Sequence, residues 1–427
     1  MRALLLTVGS QGDVQPYVAL AGRLRSAGHD VVLAAPAVYQ GLVEPGQGQH
    51  EQAVPFVPLD LDMTEVGQAV DGKHGLRHML AFTKAMGQRT GAFLPQLAGI
   101  AREGADVVVH HPVLPLGQHL AELLGVPAVV ASPLPALVPT REFPSPAWPA
   151  TKARLPAVLN RPSYRAARYL TGAWCRRDVD RWRATDLGLG NMKHRHDPLA
   201  GRDVTVLHAF SEHVVNRPHD WPDTARITGY WFAARARDWT PPRRLAEFLD
   251  AGEPPVYVGF GSMPVADPAR LAGAIITVAK ETGTRVILYS LDPRVRRHLS
   301  QQPAITVIRQ APHDWLFRRV SAVVHHGGAG TTGAAVRAGR PQVIWPFGID
   351  QHFWADRMVD LGVAVPAKPV RALSKTTLAS AVNQAVTDRM LNDLAAGLAN
   401  RVKAEDGTGV ALAHLEHVTN SKVVVSA

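Results

Sequence analysis

Residues 321–358 read SAVVHHGGAGTTGAAVRAGRPQVIWPFGIDQHFWADRM, and this stretch decides the fold. Its opening, SAVVHH, has the length and β-branched content of a buried strand. Two histidines end the run, and Gly327, Gly328 and Gly330 then supply a turn in which backbone can approach a ligand closely. Thr331 and Thr332 open a helix, and a second apolar run, PQVIWPF at 341–347, follows it. Strand, glycine turn, helix and strand form the repeating unit of a parallel sheet. The bare N–H groups and positive dipole end at such a helix start suit a diphosphate, to which a histidine and hydroxyls add hydrogen bonds. The Walker lysine is absent, and a glycine turn by itself is shared by many nucleotide-binding proteins.

The same alternation runs outward in both directions. PVYVGFGS at 255–262, a helix through about 281, TRVILYS at 284–290 and AITVIRQ at 304–310 precede the quoted stretch. At the start of the chain MRALLLTV is an apolar strand and GSQGD a polar turn. DVQPYVALAGRLRSAGH then suits a helix through Val14, Val18, Leu20 and Leu24, closed by Gly28. Pro16 is expected in its first turn, where a missing N–H costs nothing. HDVVLAAP, ADVVVHH at 105–111 and VPAVVAS at 126–132 continue the series.

Two α/β halves without sequence repetition predict two facing Rossmann-like domains, with the ligand at the C-terminal strand ends in the crevice between them. The expected boundaries are 1–215 for the N-terminal domain, 216–242 for an irregular, proline-bearing linker and 243–404 for the C-terminal domain. Residues 405–427 are expected to hold one short helix near the domain junction. PLPALVPTREFPSPAWP, at 133–149, is too rich in proline for regular structure and predicts a long shaped loop.

With 427 residues, 46% of them hydrophobic and 19% charged, the chain is globular in composition and long enough for two cores. Cys175 is the single cysteine, so no intramolecular disulfide exists and a cytoplasmic location is expected. No run approaches the roughly 20 apolar residues of a membrane span. The apolar N-terminus is also too short for a signal-peptide core. The net charge of +10 fits nucleic acid, an anionic membrane surface or an anionic small ligand alike.

Much of that charge lies between Lys152 and Arg183, where Arg161, Arg165, Arg168, Arg177 and Arg181 are interleaved with Tyr164, Tyr169, Trp174 and Trp182. This block reads as a solvated helix face with its aromatics turned inward, and weak contact with a membrane surface is the second reading. No nucleic-acid-reading motif accompanies it, so no nucleic-acid partner is expected. Neither DLD at 60–62 nor KHRHD at 193–197 has a strong metal-ligand pattern, and no metal or bound cofactor is expected.

Four strings taken together, GSQGDVQP at 9–16, PHDWLF at 312–317, HHGGAGTT at 325–332 and FGIDQHFWADRM at 347–358, resemble the family 1 glycosyltransferases of the GT-B fold. The likeness is to their bacterial natural-product and sterol glucosyltransferase branch. The strings stand in the family's order and come from both ends, so the resemblance covers nearly the whole chain. It implies that His326 meets the donor's phosphates, with Gly328, Ala329, Gly330 and Thr331 adding backbone or hydroxyl contacts and Ser262 a further one. Asp350 and Gln351 resemble the pair that reads sugar hydroxyls, a task that suits a carboxylate and an amide. His313 and Trp315 stand where the family contacts the nucleobase, and an indole can stack on a pyrimidine. The Asp-Gln pair resembles that of enzymes using UDP-glucose, which is therefore the preferred donor, with a TDP-sugar as the other.

The acceptor half departs from much of the family. Where a histidine commonly follows glycine after the first strand, this chain has Gly12-Asp13, as the natural-product and sterol branch does. Asp13 is therefore the candidate general base, and Gly12 beside it is grouped with the donor contacts. Burial in a cleft is expected to raise the Asp13 pKa and strengthen it as a base. Its other reading is an N-cap for the following helix. His111 ends a strand on the same side and can orient Asp13, touch the acceptor or act as base itself. Met63, Met79, Phe82 and Met86, together with Trp148 in the proline-rich loop, are the candidate acceptor wall for a hydrophobic natural product or sterol.

The expected reaction is an inverting, metal-independent transfer of a hexose, preferably glucose, to a hydroxyl of such an acceptor. Its rivals are a nucleotide-sugar epimerase on the same fold and a catalytically silent nucleotide-sugar-binding protein.

Overall fold

In the computed structural model, the described residues are 1–43, 54–61, 66, 81, 84–114, 116–146, 156–172, 176–190, 204–233, 239–261, 267–348, 350–366 and 375–423. The chain divides into two compact units, Met1–Asp238 with Glu405–Ala427, and Trp239–Ala404.

The first unit is built on seven strands: β1 (Arg2–Leu6), β2 (Asp30–Pro36), β3 (Phe56–Leu59), β4 (Val107–His110), β5 (Ala128–Ser132), β6 (Thr205–His208) and β7 (Ala225–Ile227). They lie in the order 3-2-1-4-5-6-7, and every pairing is parallel. Because side chains alternate along a strand, β1 feeds two cores. Leu4 and Leu6 join Val32, Phe93, Leu97 and Val108 on one face, while Ala3 and Leu5 join Val31, Leu20, Leu24 and Leu415 on the other. The sheet order doubles back at β1 and β4, and their C-terminal ends deliver Thr7 and His111 to one place.

The second unit repeats the plan with β8 (Val256–Gly259), β9 (Val286–Tyr289), β10 (Ile305–Ile308), β11 (Ala322–His325), β12 (Gln342–Ile344) and β13 (Ala364–Val365). The order 10-9-8-11-12-13 is again wholly parallel, with its reversal at β8 and β11. Rossmann-like sheets bind ligands beside such a reversal, at the C-terminal strand ends.

Several expectations change on contact with the structure. Residues 216–242 are not free linker: Ala225–Ile227 pairs with β6, and Trp221 and Trp231 are buried. Prolines at 218 and 222 interrupt the pattern without preventing a short edge strand after them. The closing segment holds a 17-residue helix, Gly407–Val423, rather than a short one. It packs within the first unit, where Ala411 and Leu415 are fully buried beside Leu20 and Leu24. The first helix, Gln11–Ser26, starts earlier than expected, with Ser10 as its cap, so Pro16 falls in its second turn.

Residues 133–146 of the proline-rich loop form no helix or strand. They are pinned all the same, since Thr140 Oγ1 and Arg141 N donate to the Asp220 carboxylate at 2.6 and 3.0 Å. In the basic block Tyr164 and Trp182 are buried, and Arg161, Arg165 and Arg181 are exposed. Arg183 belongs to the interior: it donates to both carboxylate oxygens of Glu122 at 3.1 Å and to the Gly190 carbonyl at 2.9 Å. Lys152, Arg154 and Trp174 lie outside the described residues.

Candidate active site

In the second unit, β11 ends at His325 and the helix Ala329–Ala338 begins four residues later. Its cap, Gly328, has no side chain to offer the first N–H groups, and among the described residues no side-chain cap is made to them. Residue 332 is the first whose amide turns back, to the Gly328 carbonyl at 2.9 Å, and the Thr332 hydroxyl donates to the same oxygen. The amides of the first turn are thus left to a ligand, with the dipole favouring negative charge. Thr331 is half-buried beside them.

Glycine on both sides makes room for His326. A Cβ on Gly328 would stand 2.5 Å from its Nε2, and one on Gly261 would stand 3.0 Å from its Cε1. Burial lowers the His326 pKa to about 4, so the ring is neutral and offers one N–H and one lone pair. Its Nδ1 is buried without a partner. Such a ring meets a diphosphate by hydrogen bonding rather than by charge.

Gln351 lies on the other side of the turn, where a Cβ on Gly327 would come within 2.9 Å of its carbonyl oxygen. Gln351 Oε1 accepts from Phe347 N at 2.7 Å and Gly348 N at 3.2 Å, which leaves its NH2 group to donate. Asp350 opens the helix Asp350–Asp360, half-buried. His326, Gly328, Ala329, Gly330, Thr331 and Gln351 therefore surround one turn.

Trp315 does not stand free as a stacking surface. It is 9% exposed, with Trp239 edge-on at 4.9 Å and the Arg319 guanidinium over its ring at 4.3 Å, inside a core with Leu245 and Tyr257. Its position in PHDWLF suggested a ligand contact, but the short helix His313–Leu316 turns that ring inward. His313 is half-buried and stacks on Phe317 at 4.3 Å, with its pKa lowered by burial to about 4.

In the first unit the site forms around Asp13. Its Oδ2 accepts from the Ser10 amide and the Ser10 hydroxyl, each at 2.8 Å. Asp13 is not the N-cap but the third helical residue, closing a capping box with Ser10. Gly9 is required behind it: its φ is +123°, and a Cβ there would fall 2.4 Å from Asp13 Oδ2. Thr7 Oγ1 ties the loop by donating to the Asp13 carbonyl at 3.0 Å. Gly12 sits half-buried on the first turn.

His111 Nε2 stands 3.6 Å from Asp13 Oδ1, and its Nδ1 accepts the Val113 amide at 3.3 Å. A backbone N–H can only donate, so Nδ1 carries a lone pair and a ring proton sits on Nε2, facing the carboxylate. Burial acts to raise the Asp13 pKa, but hydrogen bonding and charge from His111, with Ser10, outweigh it and hold the carboxyl below its ordinary value. The expected upward shift is thus corrected, because partners win over desolvation. Tyr39 borders this pair, its pKa raised to about 12 by burial and by the Asp13 charge.

Of the expected acceptor wall, Met86 is fully buried among Phe93, Leu94 and Leu97 and presents no surface to a ligand. Methionine there fills core, which the sequence pattern could not separate from a pocket. Met63, Met79, Phe82, Trp148 and the donor candidate Ser262 lie outside the described residues.

Two groups escaped the sequence reading. Residues 328–333, GAGTTG, have the Gly-x-Gly-x-x-Gly spacing of a dinucleotide-binding turn, a signal in plain view. His325 is fully buried under the same turn, and its proximity to His326 was the only hint of it.

Both parts of the chain are similar to known proteins. Residues 3–140 match the glycosyltransferase family 28 N-terminal domain, and residues 274–414 match the C-terminal domain of the erythromycin biosynthesis protein CIII-like family. A sterol 3-beta-glucosyltransferase of Emericella nidulans is 35% identical over 96% of this chain, and one of Neosartorya fischeri is 34% identical over 96%. The chain spans 29% of the length of each of these curated relatives.

Among solved structures, the glycosyltransferase VinC in complex with DTDP superposes with a TM-score of 0.69 at 18% identity, covering 99% of this chain and 100% of that one. SnogD from Streptomyces nogalater does so with a TM-score of 0.66 at 21% identity, covering 98% and 99%.

Proposed function

This chain belongs to the GT-B glycosyltransferases, and from that premise we propose that it transfers a hexose from a nucleoside diphosphate to a hydroxyl of a lipophilic, polycyclic acceptor. The observation that carries the reading is the uncapped start of the helix Ala329–Ala338 beneath a neutral, glycine-flanked His326. It supplies N–H donors for a leaving diphosphate. Thr331 and the Gln351 amide extend the donor contacts toward the sugar. Glucose from UDP is the preferred donor, and a TDP-sugar is the alternative.

In this reading Asp13 accepts the proton of the acceptor hydroxyl as that oxygen attacks the anomeric carbon. The diphosphate departs in the same displacement, and the configuration inverts. A carboxylate held below its ordinary pKa is charged throughout the physiological range and takes the proton late, when the oxygen is already acidic. In this reading His111 positions the carboxylate rather than acting as base, a role supported by its Nδ1 accepting the Val113 amide and its Nε2 standing 3.6 Å from Asp13 Oδ1.

The sterol class of acceptor is supported by the sterol 3-beta-glucosyltransferase relatives, and polyketide, macrocyclic or aromatic aglycones are the second class. Cytoplasmic action is supported by the single cysteine. Transient contact with an anionic lipid surface is supported by Val158, 80% exposed, ahead of the exposed Arg161 and Arg165.

The test is incubation with UDP-glucose and with TDP-glucose against a panel of sterols and aromatic aglycones, reading product mass and anomeric configuration. A β-glucoside from the α-linked donor is expected. Retained configuration, or turnover of donor to an epimer without acceptor, would reject the reading.

A further inference from the structure

His325 has no part in the chemistry just described, yet it is fully buried directly under the turn that takes the diphosphate. Its Nδ1 accepts the Gly327 amide at 3.0 Å, and its Nε2 lies 2.8 Å from Gln342 Oε1. The amide can only donate, so Nδ1 carries the lone pair and Nε2 the proton, which passes to Gln342. Gln342 in turn directs its NH2 group to Met358 Sδ at 3.5 Å, which orients the amide. The chain of donors therefore runs one way, from the Gly327 backbone through the ring to β12 and the helix that starts at Asp350.

The bond matters because of where Gly327 sits. Its φ of +92° is a conformation open to glycine and strained for any other residue, and Ile344 and Gln351 close the space around it. Turning at Gly327 is what aims His326 between Gly261 and Gly328 and lets the next helix begin with its amides outward.

We propose that His325 is the positioning residue of the diphosphate site: its Nδ1 fixes the Gly327 amide, and through it the direction of the His326 ring and of the first amides of the helix Ala329–Ala338. The inference rests on the donor-site reading of that turn. The ring performs this role only when neutral, since a proton on Nδ1 would face the Gly327 N–H. Burial and the neighbouring His326 lower its pKa to about 3, which keeps the latch closed at every working pH.

Amide isosteres separate the two ends of the ring. Asparagine places its carbonyl oxygen near the position of Nδ1, whereas glutamine reaches the position of Nε2. Affinity for UDP and for TDP, measured by calorimetry, is expected to fall about tenfold in His325→Gln, one lost hydrogen bond's worth of order, and to stay near wild type in His325→Asn. Hydrogen exchange of the Gly327 amide without nucleotide is expected to quicken in His325→Gln and not in His325→Asn. Equal losses in both variants, or unchanged exchange in His325→Gln, would overturn the proposal.

Histidine-selective 15N spectra of the wild-type protein give a readout free of any folding defect: an Nε2–H tautomer supports the latch and an Nδ1–H tautomer overturns it. Wild-type protein that binds neither nucleotide would sink the donor-site reading itself, and the exchange and tautomer data would still decide whether the latch exists.

Discussion

Asp13 and His111 form a pair whose roles can be separated by acidity. Because the folded pKa of Asp13 lies below its unfolded value near 4, its bonds to Ser10 and His111 contribute stability above that value. The contribution is lost as the pH falls through the folded pKa. Removing His111 takes away the larger of the opposing influences and leaves burial to push the carboxyl up. His111→Ala is therefore expected to move the acid limb of the kcat/KM profile to higher pH while turnover persists on the alkaline side. Turnover abolished at every pH would instead make His111 the base. Asp13→Asn is expected to lower kcat by about 10²–10⁴-fold, with UDP affinity measured by calorimetry unchanged. Gly9→Ala brings a methyl group onto the Asp13 carboxylate at a positive φ, and a loss of roughly 1–3 kcal/mol in denaturant unfolding is expected.

At this scale the sequence carried residue types but not directions. Asp13 after a strand and His326 before glycines were legible because their chemistry depends on chain position. Trp315 and Met86 are buried in cores, and an apolar side chain looks the same in a core and at a pocket wall.

The helix Ala329–Ala338 joins stability to binding with opposite signs. A carboxylate in its first turn would complement the dipole and stabilise the helix by about 0.3–1 kcal/mol, while occupying the place of the diphosphate. Ala329→Glu is thus expected to raise the unfolding midpoint slightly and to abolish UDP binding. A variant that kept nucleotide affinity would move the anion site elsewhere. Most strands were legible at this scale, since β1, β2, β4, β5 and β8 to β12 are short apolar runs bounded by turn residues. β3 escaped because Pro58 breaks its pattern, which an edge strand tolerates. β7 escaped because only three residues of a proline-bearing stretch pair.

For the whole molecule, two sheets whose first six strands lie in the same order, the first sheet adding β7 at its edge, follow from the alternation of strand and helix rather than from particular side chains. What alternation could not reveal is that the first unit is discontinuous, since nothing in 405–427 marks which core it completes. Arg23 and Asp406 at 2.8 Å and His29 and Glu416 at 2.9 Å fasten that segment at the surface, and Ala411 and Leu415 fasten it inside. The exposed Arg23–Asp406 pair is worth little by itself, so the apolar contacts dominate. Leu415→Ala is expected to cost about 2–5 kcal/mol, whereas Arg23→Ala should change the unfolding midpoint little.

This threading sets a timetable for synthesis. When residues 1–238 have left the ribosome, the face formed by Leu20 and Leu24 still awaits its cover, and that cover is a helix translated only after Trp239–Ala404. Trp239–Ala404, being unbroken, can close while its predecessor waits, so the half made first is finished last. A message truncated shortly before codon 405 would yield an intact second unit tethered to a sticky, unfinished first one, a natural target for chaperones and proteases.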